Sequence, residues 1–195
     1  MENNIIEVYD KINAKKIFKK SIKEISTKRI FLLYSNIFNL PICALILTNT
    51  VMASRTSVIN FCYQINELYD IKLSEENIKS IIKFIVGHET GHILDSSLKK
   101  TRSEYQSMIL TFRELCIEYK KNNTSIKTYQ LEDLGRQIKN NLIEREITAW
   151  NIASEIIDFK DDNEIYIFNK TKEYALATYN TISYKSLYRQ MEYVI

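Results

Sequence analysis

Residues 74–95 read SEENIKSIIKFIVGHETGHILD, and the rest of the chain is organised around this run. Ser74 can accept from the amides of a first helical turn, and Glu75 and Glu76 suit the positive end of a helix. Ile78, Ile81, Ile82 and Ile85 then recur at helical spacing. The helix this predicts carries His88 and His92, the 2 histidines of the chain. At roughly 100° per residue, side chains four apart stand one above the other, so both imidazoles can face one ion. Glu89 is turned to the flank, where its carboxylate can reach a water on that ion without taking a ligand position. Ile81, Phe84, Ile85 and Val86 predict a mostly buried helix, in which a histidine pair and a glutamate without partners would be costly. Gly87 and Gly91 each cost a helix about 1 kcal/mol against alanine, which predicts that something approaches this backbone closely.

A zinc ion with three protein ligands brings the pKa of its water to about 7 and polarises a carbonyl, and a carboxylate placed like Glu89 can take the proton and pass it to a leaving amine. The chemistry predicted is peptide-bond hydrolysis, with Glu89 as catalytic base and one Zn2+ per chain as cofactor. His88, Glu89 and His92 match HExxH, and here the chain resembles the zincin metallopeptidases, whose signature it is. The metzincin extension HExxHxxGxxH is missing, since Asp95 stands in place of its glycine and Leu98 in place of its third histidine. The third ligand is then expected to be a carboxylate.

Glu104, Glu114, Glu118, Glu132, Glu144, Glu146 and Glu155 all lie downstream, and helix phase selects among them. With Glu146 at zero on a helical wheel, Leu142, Ile143, Ala149, Trp150, Ala153 and Ile157 fall within about 60° on either side. Glu144 and Glu155 point roughly the opposite way, among Thr148 and Asn151. A carboxylate in the middle of an apolar stripe needs a cation or several donors, and the ion held by His88 and His92 would meet that need. A buried salt bridge from Glu146 to Arg145 or a lysine is the alternative. The stretch EITAWNIA resembles the glutamate helix of gluzincins, particularly the small ImmA/IrrE-like intracellular proteases, whose ligand is followed by alanine three and seven positions later, here Ala149 and Ala153. The resemblance implies a regulatory protease that cleaves a specific cytoplasmic repressor, as an alternative to a general zinc-dependent metalloendopeptidase. A non-catalytic binding module stabilised by zinc is a third reading. Asp95, one turn after His92, can orient a ligand histidine or cap the helix end. Oxyanion stabilisation would fall to an arginine or a tyrosine, with Tyr105, Tyr129, Tyr174, Tyr179, Tyr184 and Tyr188 as candidates.

With 3 glycines and 1 proline in 195 residues, long helices should outweigh turn-rich sheet. The fold class expected is helix-dominated α+β in a single zincin-like domain over 1–195: a basic N-terminal helix (about 8–26), a small mostly antiparallel sheet, the HExxH helix, a glutamate helix and a tyrosine-rich helical part (about 161–195). RIFLLY from Arg29, ICALIL from Ile42 and SVINFCY from Ser57 are the expected strands, with TNTVMASRTS as a polar link and a hairpin joining the second and third. Further helical patterns start at Tyr105, at Leu134 and near Glu173, and KKNNTSIKT (120–128) reads as a loop. Cys43, Cys62 and Cys116 are odd in number, widely spaced and set in apolar surroundings, as reduced buried thiols are. No export signal and no spanning segment are legible, so a cytoplasmic protein with no membrane partner is expected. Net charge is only +3, which makes nucleic acid an unlikely partner and leaves a protein or peptide substrate. The lysines of 11–29 read as a solvated face over the stripe Ala14, Phe18, Ile22 and Ile25, with a surface for nucleic acid or an acidic partner as the alternative.

Overall fold

The computed structural model describes residues 2–121 and 125–192. Its elements are α1 (Glu2–Lys11), α2 (Ala14–Ile25), β1 (Phe31–Ser35), β2 (Cys43–Leu45), β3 (Thr50–Ser54), α3 (Arg55–Tyr69), α4 (Glu75–Leu94), α5 (Ser96–Lys100), α6 (Arg102–Lys121), α7 (Ser125–Ile156), α8 (Asp162–Asn180) and α9 (Tyr184–Glu192). This is a helix-dominated α+β fold. The chain divides into two compact units, Met1–Asp95 with Thr148–Tyr174, and Ser96–Ile147 with Ala175–Ile195.

In the first unit the basic N-terminal stretch forms two helices rather than one, because Asn13 accepts from the Lys16 amide and caps a fresh start at α2. Ala14, Phe18 and Ile22 are buried, and Lys15, Lys16, Lys19, Lys20 and Lys23 are exposed, as an amphipathic helix requires. The sheet is ordered β1-β3-β2. It is mixed rather than mostly antiparallel, since β3 runs parallel to β1 and antiparallel to β2. The hairpin from β2 to β3 turns through Asn49, at φ 48°, and returns the chain into the gap beside β1, which forces the parallel pairing.

The third strand also lies earlier than expected. TVMAS in the supposed polar link has a period of two, and its inward residues Val51 and Ala53 are both 0% exposed. SVINFCY, expected as a strand, is helix in α3. Ser54 and Ser57 form a reciprocal capping box at its start, and Val58, Cys62 and Ile65 recur at helical spacing, fully buried. Capping and tertiary burial override the β-propensity of these residues here. Burial pushes the Cys62 thiol up to about 12, and none of Cys43, Cys62 and Cys116 is in a disulfide.

Helix α4 starts where Ser74 accepts from the Asn77 amide and is buried nearly all round from Ile78 to Ile93, as a helix covered on every side must be. Phe84 meets Phe168 of α8 edge-on, ring centroids 5.3 Å apart. A buried polar lock joins the same two helices. Glu164 accepts from Ser80 Oγ at 2.9 Å, from Lys83 Nζ at 3.2 Å and from the Lys160 amide at 2.8 Å. Burial alone would raise the Glu164 pKa, but these donors together hold it below the ordinary carboxylate value. Glu164→Gln leaves the Lys83 ammonium without its carboxylate partner and should destabilise the fold by about 2–3 kcal/mol at neutral pH. Because the folded-state pKa is depressed, that stabilisation is full above about pH 4.3 and drains away as pH falls through the folded value. Denaturant unfolding of both proteins at pH 7 and below pH 4 should show the gap narrowing, and a gap that widens in acid would exclude this role.

The second unit has its own core of Phe112, Cys116, Leu131, Ile138 and Leu187, from α6, α7 and α9. Part of the loop expected at 120–128 is helix instead: Lys120 and Lys121 close α6, Ser125–Thr128 open α7, and 122–124 lie outside the described residues. The C-terminal tyrosine-rich stretch is helical in α8 and α9, with 193–195 outside the described residues. No helix among the described residues is long and apolar enough to cross a membrane.

Candidate metal centre

The centre depends on how closely α7 approaches α4. A Cβ added at Gly91 would collide with the Ala149 carbonyl oxygen and stand 3.0 Å from the Ala149 Cα. One turn earlier, a Cβ at Gly87 would stand 3.6 Å from Ala153 Cβ. Small residues four apart on each helix let the two backbones touch, which is the close approach that the two glycines predict. Gly91→Ala should therefore cost at least about 2–3 kcal/mol, because backbone cannot step aside. At Gly87 the added methyl meets Ile157 Cδ1 at 2.5 Å, the end of a flexible side chain, and alanine also improves helix propensity by about 1 kcal/mol. Gly87→Ala should stay within about 1 kcal/mol of the parent in denaturant unfolding, and equal losses for the two variants would exclude this crossing.

Glu146 precedes Ala149 by three residues and so shares the face of α7 that meets α4. His88, His92 and Glu146 each offer one ligand atom, and these atoms all lie within 4.8 Å of one another. Donors on one zinc stand roughly 3–3.5 Å apart at bond lengths of about 2.1 Å, so modest side-chain rotation closes the set. Two imidazoles and a carboxylate are a donor set suited to zinc and other divalent transition ions. His88 is 7% exposed, whereas His92 and Glu146 are half-buried, so the group keeps an accessible side. Glu144 and Glu155 are exposed, in keeping with the helical phase that singles out Glu146.

Glu89 is 5% exposed, and its Oε1 lies 4.0 Å from His88 Nε2. Strand β2 runs along this flank. Burial and the nearby Glu89 charge both raise the Cys43 thiol above its ordinary value. Asp95 is buried and ends α4, its backbone N–H donating to the Gly91 carbonyl at 2.9 Å. Several candidate tyrosines are engaged in packing: Tyr174 against Phe61 at 5.2 Å, Tyr188 against Tyr119 at 5.7 Å, and Tyr105 beneath the Arg145 guanidinium at 4.1 Å. Tyr129 is 69% exposed. The geometry singles out none of them for an oxyanion.

Sequence reasoning placed Trp150 in the apolar stripe and gave it no part in the centre. Its ring in fact stacks on the imidazole of His88, centroids 4.3 Å apart and planes 21° from parallel. The available signal was its position four residues after Glu146, one turn further along the same face. No protein-family profile, curated protein or solved structure matches this chain.

Proposed function

We propose that the protein is a zinc-dependent metalloendopeptidase that hydrolyses peptide bonds at the group formed by His88, His92 and Glu146. The observation that carries this reading is Glu89, a buried carboxylate beside His88 that stands outside the group of His88, His92 and Glu146. A purely structural metal site fills its positions with protein ligands and has no use for such a group. Zinc, when bound, would supply Lewis acidity toward a peptide carbonyl and make a water acidic enough to attack near neutral pH. The two imidazoles and the Glu146 carboxylate would hold the ion. Glu89 takes the proton from the attacking water and delivers it to the departing amine, so one carboxylate serves as base and then as acid. The substrate is a protein or peptide, and a single cytoplasmic repressor is the narrower form of the same proposal.

The test is to load the purified protein with zinc, incubate it with peptides from a digested proteome, and identify new termini by mass spectrometry. New termini that vanish with a chelator and return with added zinc are expected. Stoichiometric metal binding with no metal-dependent cleavage anywhere in the library would overturn the proposal in favour of a zinc-stabilised binding module.

A further inference from the structure

Trp150 is the 1 tryptophan of the chain and is 1% exposed. One ring face lies on the His88 imidazole. Phe168 meets the indole edge-on, centroids 5.5 Å apart and planes at 72°, and Phe168 is itself held edge-on by Phe84 at 5.3 Å and Phe159 at 5.1 Å. The backbone that carries the indole is fixed at the next residue, where Ala149 abuts Gly91. The indole is therefore set in place by contacts that do not involve His88. A histidine ring by contrast turns about a broad, roughly two-fold χ2, and only some of its orientations aim a nitrogen at the donors of His92 and Glu146.

We propose that Trp150 is a positioning residue for the metal centre: its fixed ring holds the His88 imidazole in the orientation that brings a nitrogen within 4.8 Å of the donors of His92 and Glu146. One helix then supplies both a ligand, Glu146, and, one turn later, the clamp on a ligand from another helix. The electron-rich indole face also suits the task, because an imidazole that donates to a cation becomes electron-poor and stacks more favourably on it. The inference rests on the metal-centre reading and makes no use of the proposed hydrolysis.

The experiment measures metal binding alone. Titration of the metal-free protein with Co2+ should quench the fluorescence of Trp150 in a saturable way at one equivalent, in step with the visible absorption of the bound ion, and His88→Ala should remove both signals. Zinc affinity, from competition with a chromophoric chelator, should fall by about 10-fold or more in Trp150→Leu, as groups that orient metal ligands commonly carry 10- to 100-fold. In Trp150→Phe, which keeps an aromatic face, it should stay within about 3-fold. Wild-type zinc affinity in Trp150→Leu, or cobalt absorption that saturates with no change in the wild-type fluorescence, would overturn the assignment while leaving the metal centre standing. A wild-type protein that binds neither ion removes the metal centre and the assignment together. If Trp150→Leu fails to fold by circular dichroism, the Trp150→Phe affinity and the wild-type quenching decide the matter.

Discussion

Glu89→Gln is expected to lose peptide hydrolysis by about 10²- to 10⁴-fold while keeping its fold and its metal. Glutamine has nearly the shape of glutamate, and position 89 is 5% exposed, so the packing around it survives the exchange. An amide places no charge in that burial and asks for no partner cation, and stability should therefore change little. What it cannot do is accept the proton of an attacking water. A loss of that size corresponds to about 2.7–5.5 kcal/mol of transition-state stabilisation. It should appear in kcat with little change in KM, since the group acts on the reacting atoms and not on substrate held elsewhere. The measurement is the rate of appearance of new termini, set beside metal content and the unfolding midpoint for the same preparation. Full turnover in Glu89→Gln would mean that another group activates the water.

The grouping of His88, His92 and Glu146 is legible in the sequence, and the reasons are physical. Four-residue spacing on a buried helix leaves little freedom in where His88 and His92 point. The phase of the Glu146 helix follows from where its apolar residues fall. SVINFCY reads as a strand because it is rich in β-branched and aromatic residues, yet Val58, Cys62 and Ile65 also fit a helix, and only the Ser54–Ser57 cap and the packing of α3 decide between them. Strand β3 was missed because its inward residues, Val51 and Ala53, alternate with Thr50, Met52 and Ser54 in a stretch that reads as polar overall. The parallel pairing of β1 and β3 depends on which gap the hairpin enters, a long-range choice that local sequence does not carry. The Trp150 stack falls between these cases. Its helical phase was readable, but the ring it would meet depends on the register of α4 against α7, set by the contact of Gly91 with Ala149.

Loss of the Glu146 carboxylate should be the next largest effect. With His88 and His92 alone, a divalent ion keeps two protein ligands, and water must take the remaining positions. Contacts that merely orient ligands already carry about 10- to 100-fold in affinity, so removing a ligand outright should weaken zinc by more than about 100-fold. Glu144→Ala, two residues away on the same helix, supplies the control. Glu144 is exposed whereas Glu146 is half-buried, and of the two it is Glu146 whose carboxylate oxygen lies within 4.8 Å of donors from both histidines. Both substitutions remove one negative charge from the same helix, on opposite sides of it, so a general long-range attraction for cations would weaken in both proteins and would be screened by salt. Coordination behaves differently: Glu146→Ala loses the ion, Glu144→Ala keeps it, and added salt changes neither result appreciably. Isothermal titration of metal-free protein with zinc in low and high salt separates the two accounts. Equal losses that fade with salt would reduce Glu146 to a neighbouring charge and require the third ligand to be sought elsewhere in the chain.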